Sequence, residues 1–313
     1  MNSYLVTGGA GFIGSNIVEA LVNKGEKVRV LDNFSTGRRK NIEHLLDKIE
    51  LVEGDLRDYG LIMQVTSGVD YVIHQAALPS VFRSIQEPVI VNEVNVNGTL
   101  HILNSAVKNK VKRVVYASSS SVYGDTPVLP KKEEFIPSPL SPYAITKLTG
   151  EYYCRVFHGV YGLETVSLRY FNVFGPRQDP TSEYSAVIPK FISIMMGGKA
   201  PTVYGDGKQT RDFTYIDNVV SANLKACTAA DAAGSFVNIA CGERISLLQL
   251  IEHLNKALET NIEPLLTESR KGDVKHSLAD ISQAEKFIGY TPLVSTQEGL
   301  LKTVKWFSSH LER

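Results

Sequence analysis

Through about residue 170, short and nearly continuous apolar runs alternate with stretches whose apolar positions recur every three or four residues. The runs at 4–6, 28–31, 50–53, 71–74, 113–117 and 165–169 have the length and texture of strands buried on both faces. Helical spacing fills the gaps at 17–22, 41–46, 61–65, 91–109 and 143–161. Strand and helix in alternation predict an α/β fold, a doubly wound parallel sheet. Ligands of such sheets bind beyond the carboxyl ends of the strands. Gly54-Asp55-Leu56, Gln75-Ala76-Ala77 and the serines at 118–121 fall there.

After Phe174 the texture changes, with Gly175-Pro176, Asp179-Pro180, Gly197-Gly198, Pro201 and Gly205-Asp206-Gly207 interrupting shorter elements. Helices are predicted at 186–196, 217–229, 246–259, 280–287 and 296–310, with Ser246 and Asp280 as N-caps. The expected division is a dinucleotide-binding domain over 1–172 and a smaller mixed α/β substrate-binding lobe over 173–313. The boundary is approximate and segments can interleave; the ligand belongs in the cleft between. The helices at 91–109 and 143–161 are long enough to pair into a homodimer face.

Lys+Arg and Asp+Glu both total 33, so net charge favours neither nucleic acid nor an anionic membrane as partner. Three scattered cysteines and seven histidines lack disulfide or metal-ligand spacing. No metal is expected. No stretch of 18 apolar residues occurs, and a cytoplasmic protein is expected.

The chemistry starts where the first strand meets Thr7-Gly8-Gly9-Ala10-Gly11-Phe12-Ile13-Gly14. Glycines at 8, 11 and 14 let the backbone turn and approach a pyrophosphate at the next helix's N-terminus. Asp32, about 20 residues on at the end of the second apolar run, can accept the adenosine ribose hydroxyls, which favours NAD over NADP. Arg38 and Arg39 nearby leave that preference open. Tyr143 and Lys147, four residues apart behind Ser141-Pro142, share one helix face about 5–6 Å apart. A neighbouring ammonium favours phenolate and so makes Tyr143 a candidate general base. Tyr204 and Lys208 repeat the spacing across a glycine turn, where helical geometry fails.

Together with His74-Gln75-Ala76-Ala77, Asn95-Val96-Asn97-Gly98-Thr99, the Ser119/Tyr143/Lys147 set and the run from Arg169 to Pro180, these motifs resemble the extended short-chain dehydrogenase/reductases of the nucleotide-sugar class. The likeness runs nearly end to end and is strongest to bacterial UDP-N-acetylglucosamine 4-epimerases and UDP-glucose 4-epimerase. It implies a Rossmann domain holding NAD tightly through Gly8, Gly11, Phe12, Ile13, Asp32, Asn33, Phe34, Ser35, Gly37, Asp55, Leu56, Gln75, Ala76, Ala77, Asn95, Tyr143, Lys147, Tyr170 and Val173. It makes Tyr143 the base for the sugar O4 proton, with Ser119 hydrogen-bonding that hydroxyl and Lys147 holding the nicotinamide ribose. The C4 hydride passes to NAD, and the 4-keto sugar swings about its diphosphate and takes the hydride back on its other face. Ser80, Ser120 and Asn172 would touch substrate, Arg211 and Arg270 the diphosphate, Val187, Val203 and Tyr204 the uracil, and Asp273 its ribose.

Departures narrow the reaction. Sugar 4,6-dehydratases of this class carry Thr-Asp-Glu where this chain has Ser119-Ser120-Ser121, and UDP-glucuronate decarboxylases carry glutamate at 121. Both reactions are disfavoured. UDP-glucuronate 4-epimerases are closer but carry arginine at the position of Asp179, whose carboxylate would repel a uronate; Arg83 or Arg177 could replace that arginine. Ser277 stands where enzymes restricted to plain hexoses have a bulky tyrosine, which leaves room for an N-acetyl group. The expected activity is 4-epimerisation of UDP-GlcNAc/UDP-GalNAc and of UDP-Glc/UDP-Gal. The alternatives are a UDP-glucuronate 4-epimerase or another NAD-dependent nucleotide-sugar oxidoreductase.

Overall fold

The computed structural model describes residues 1–180, 186–268 and 275–310. The first half contributes β1 (Ser3–Thr7), β2 (Lys27–Asp32), β3 (Glu50–Glu53), β4 (Tyr71–His74), β5 (Arg113–Ser119) and β6 (Glu164–Tyr170). The second contributes β7 (Val173–Phe174), β8 (Thr202–Tyr204), β9 (Thr210–Arg211), β10 (Thr214–Tyr215), β11 (Ser235–Ile239), β12 (Ile245–Ser246) and β13 (Leu265–Thr267). Seven of these form one parallel sheet in the order β11-β6-β5-β4-β1-β2-β3. The sequence pattern missed β11. It pairs with β6 across a long separation, so the second half of the chain lends a strand to the first half's sheet.

Alternate residues of each strand enter opposite cores, as a pleat of period two requires. Tyr4 and Val6 join Ile73, Val115 and Ala117 on one face, while Leu5 joins Val72, Val114 and Tyr116 on the other. The first face is covered by α1 (Phe12–Asn23) and α8 (Ile216–Thr228), the second by α2 (Tyr59–Val65), α5 (Gly98–Lys108) and α6 (Pro142–Tyr161). Between α2 and α5 lie α3 (Val81–Gln86) and α4 (Pro88–Asn92), then a π-type turn over Glu93–Asn97. The second lobe adds α7 (Val187–Met196), α9 (Leu247–Leu258), α10 (Ser282–Ile288) and α11 (Thr296–His310) beside the short pairs β7 with β10, β9 with β12 and β8 with β13.

Local signals acted as chemistry dictates. Ser141 caps α6, accepting the Ala144 N–H at 3.2 Å, with Pro142 at the first helical position. Ser246 and Gln249 form a reciprocal capping box on α9. Two expectations shift: 41–46 resolves into two 3₁₀ turns, and α10 is capped one residue later than Asp280, which instead accepts from the Ser282 N–H and hydroxyl. Among the described residues no helix is long and apolar enough to cross a membrane, and no group of three metal-ligating side chains gathers.

Candidate active site

At the end of β1 the chain turns through Gly8 at φ +67°, where a Cβ would lie 2.8 Å from the Ala76 backbone. A Cβ on Gly14 would sit 2.1 Å from the Gly8 carbonyl oxygen. Loop, β4 end and α1 therefore touch backbone to backbone. Gly11 is the N-cap of α1, with no side chain capping the helix and no acid in its first turn. Its first N–H groups and dipole favour an anion. A cradle that any Cβ would fill, at an uncapped helix start, fits a dinucleotide pyrophosphate.

Asp32 is held beside this loop. Its carboxylate accepts the Ala10 N–H at 2.9 Å and the Phe34 N–H at 2.8 Å, and Gly37 leaves no room for a Cβ against it. Burial raises its pKa while those two bonds oppose the rise. Arg38, the candidate for a 2′-phosphate, is turned to an ion pair with Asp179, and the Arg39 guanidinium lies 5.5 Å from the Phe34 ring centre. Asp55 receives a two-pronged Arg57 and the Asn33 amide, which hold its carboxyl below the usual carboxylate range.

Sequence reasoning missed the relay behind Ala76 and Asn95. The Ala76 N–H donates to the Thr7 hydroxyl, which lies 2.7 Å from His74 Nδ1; His74 Nε2 lies 3.0 Å from the Thr99 hydroxyl, which donates to the Asn95 carbonyl. Because Thr99 gives its proton to Asn95, His74 must donate from Nε2 and accept at Nδ1. The ring is neutral, and burial pushes its pKa down to about 3, with the Lys147 charge adding to the effect. The buried Asn95 side chain bonds the Leu78 backbone on both sides and reaches Thr146 on α6. Asn95 itself is not among the described residues of the cleft wall. Tyr170 accepts from the Gln75 amide at 2.9 Å and donates to Asn223 at 3.0 Å.

Tyr143 and Lys147 occupy one face of α6, the ammonium 6.0 Å from the phenol ring centre. Lys147 donates to the Ala117 carbonyl at 2.7 Å, and burial brings its pKa down to about 8. The Ser119 hydroxyl hydrogen-bonds Tyr143. The expected lowering of the phenol's pKa does not occur in the protein alone: burial raises it, and the Ser119 bond is the opposing effect. Desolvation penalises a phenolate more than a lysine engaged elsewhere can offset. One turn beyond, Glu151 forms a buried bidentate pair with Arg169 at 2.8 and 2.7 Å and also meets Ser118, fixing α6 to β5 and β6.

Gly8, Asp32, Asp55, Gln75, Ala76, Ser119, Tyr143, Lys147 and Tyr170 line a cleft of about 1510 Å³. A single-ligand pocket is roughly 300–1,000 Å³, so there is room for a dinucleotide and a second ligand. Of the residues expected to hold the dinucleotide, its wall includes Gly8, Gly11, Phe12, Ile13, Asp32, Asn33, Phe34, Ser35, Gly37, Asp55, Leu56, Gln75, Ala76, Ala77, Tyr170 and Val173, and of those expected to touch substrate Ser80, Ser119, Ser120, Asn172, Arg211 and Ser277. Asn172 is held at φ +33° with its amide on the Asp212 carbonyl. The buried Asp212 carboxylate fastens the backbone of Cys241, Gly242 and Ala279, and burial raises its pKa to about 7 against those bonds. The described wall omits Val187, Val203 and Tyr204; Val203 is 1 % exposed inside the core, and Tyr204 ends β8 before the Gly205 turn, where the second Tyr–Lys spacing indeed fails as a helix. Arg270 and Asp273 lie outside the described residues. Arg177 is turned to Glu19 at 2.6 Å and Arg83 pairs with Glu87, while Asp179's charge is balanced by Arg38. Asp179 therefore does not by itself exclude an anionic sugar.

The family model for NAD dependent epimerases/dehydratases matches residues 4–240. The chain is 41% identical to the structure of UDP-N-acetylglucosamine 4-epimerase from Methanobrevibacter ruminantium in complex with UDP-N-acetylmuramic acid, over 99% of both chains with a TM-score of 0.95. It is 38% identical to UDP-glucose 4-epimerase with UDP-glucose from Thermotoga maritima, over 99% of this chain and 100% of that one, with a TM-score of 0.94. UDP-glucose 4-epimerase of Mycolicibacterium smegmatis is 37% identical over 309 residues, 97% of each chain. On that match and those identities, the chain belongs to the NAD dependent epimerase/dehydratase family.

Proposed function

We propose that the chain interconverts C4 epimers of UDP-sugars, taking UDP-GlcNAc/UDP-GalNAc and also UDP-Glc/UDP-Gal through a 4-keto sugar. The observation that carries the reading is Tyr143, hydrogen-bonded to Ser119 on the cleft wall one helical turn from Lys147. NAD, when bound, supplies a hydride acceptor and a positive ring charge. Tyr143 takes the O4 proton and returns it, Ser119 orients the hydroxyl, and Lys147 holds both α6 and the ribose side. Arg211 on the cleft wall supplies cationic charge for the diphosphate while the sugar turns. The serines at 119–121 offer no carboxyl for dehydration or decarboxylation. Ser277, on the wall rather than in the core, leaves space for an N-acetyl group.

The test is incubation with UDP-GlcNAc, UDP-Glc and UDP-GlcA separately, without added cofactor, resolving the C4 epimers. The reading requires turnover of the first two with no accumulation of reduced nicotinamide. Stoichiometric NAD demand would make the chain a net oxidoreductase, and turnover of UDP-GlcA alone a glucuronate 4-epimerase. We also assign the exposed apolar residues Val81, Phe82, Ile85 and Val89 of α3–α4 and Ile145, Tyr152, Val156 and Val160 of α6 to a homodimer face. Sedimentation should give twice the chain mass.

A further inference from the structure

The cationic side chains on the cleft wall are mostly committed to other partners. Arg38 pairs with Asp179, Arg57 with Asp55, Arg83 with Glu87, and Lys147 donates to Ala117. Lys131 differs. It is 3 % exposed, lines the cleft, and among the described residues its ammonium forms no ion pair; its hydrogen-bond partner is the Thr126 carbonyl. The Asp125 carboxylate favours its charge from farther off, against burial, which pulls the pKa down. An ammonium has three N–H donors, and buried donors without acceptors are costly.

The backbone fixes where the Lys131 side chain starts. The Lys131 N–H donates to the Leu278 carbonyl at 2.7 Å and its carbonyl accepts the Asp280 N–H at 2.9 Å, a bridge that ties it to the segment carrying Ser277. Lys131, Ser277, Ser119, Ser141 and Tyr143 line the same cleft. We propose that Lys131 is a specificity-determining residue whose ammonium donates to an acyl oxygen on the hexose, either the amide oxygen of an N-acetyl group or the carboxylate of a uronate. It thereby favours such sugars over plain hexoses, because an amide or carboxylate oxygen accepts from a cation more strongly than a hydroxyl. The inference rests on the reading that the cleft takes a UDP-hexose.

Lys131→Met removes the charge and keeps the stem. KM and kcat are measured for UDP-GlcNAc, UDP-GlcA and UDP-Glc in both proteins. The expected result is a loss of roughly tenfold or more in kcat/KM, carried by KM, for one acyl-bearing substrate, with UDP-Glc unchanged. Loss on UDP-GlcNAc assigns the amide, loss on UDP-GlcA the carboxylate. An equal change on all three substrates, or none, overturns the role of Lys131 while leaving the epimerase reading intact. A wild-type protein that turns over none of them overturns that reading, and the inference with it. Circular dichroism establishes that Lys131→Met is folded before the substrates are compared; if it is not, Lys131→Gln, which keeps an N–H for the Thr126 carbonyl, must give the same selective loss.

Discussion

Where the dinucleotide is proposed to lie, β1, β2 and β4 finish side by side; Gly8, Gln75 and Ala76 follow their strands by one or two positions and Asp32 is the last residue of β2. Where the sugar is proposed to lie, the wall includes Lys131, Asn172, Arg211 and Ser277, which long-range hydrogen bonds and the Asp212 carboxylate bring together. The first region is specified by backbone geometry, the second by which side chains happen to be carried on irregular segments. One end should therefore tolerate no added atom, and the other should trade one substrate for another.

The largest effect expected from breaking that contrast is at Gly14. Gly14→Ala places a methyl 2.1 Å from the Gly8 carbonyl, and the overpacking should weaken NAD binding by about tenfold to 100-fold in calorimetry. Gly25→Ala, at positive φ but with nothing within 4 Å, should lower stability and leave NAD affinity alone. Equal NAD affinity in both variants would refute the backbone account.

A second test sharpens the same region through pH. His74 is neutral with its pKa pushed from 6.5 to about 3, so between those values the unfolded chain binds the extra proton. Stability should then fall as pH drops from 6.5 toward 3, by about 1.4 kcal/mol per unit at most from this group. The slope of Tm against pH should flatten in His74→Gln; an unchanged slope removes His74 from the linkage.

The smallest expected effect is at the other end. Ser277→Tyr should reduce kcat/KM for UDP-GlcNAc by about tenfold, in line with steric discrimination in a pocket, and spare UDP-Glc. Equal losses on both would place Ser277 away from the C2 substituent.

The same contrast explains what the sequence made legible. Gly8, Gly14, Asp32 and the Tyr143–Lys147 spacing are local signals, and the structure puts all of them on one cleft. Asn95 was legible as special, and only the fold reveals that its amide grips Leu78. β11 escaped because a short apolar run carries no record of its partner. Val203 has the same local pattern as a pocket residue and a core residue, and its strand takes it inside. Lys131 sits in an irregular segment without periodicity, so nothing in the chain distinguishes it from a surface lysine. The direction of the Tyr143 shift was missed because spacing conveys a neighbouring charge but not desolvation.

Everything at the reacting end turns on the phenol of Tyr143. Rapid-quench measurement of C4 inversion by Tyr143→Phe, with bound NAD quantified in the same preparation, addresses it directly. The account predicts a rate lower by about 10²–10⁴, the worth of a positioned acid–base group, with NAD still bound. Inversion at the full rate would contradict it.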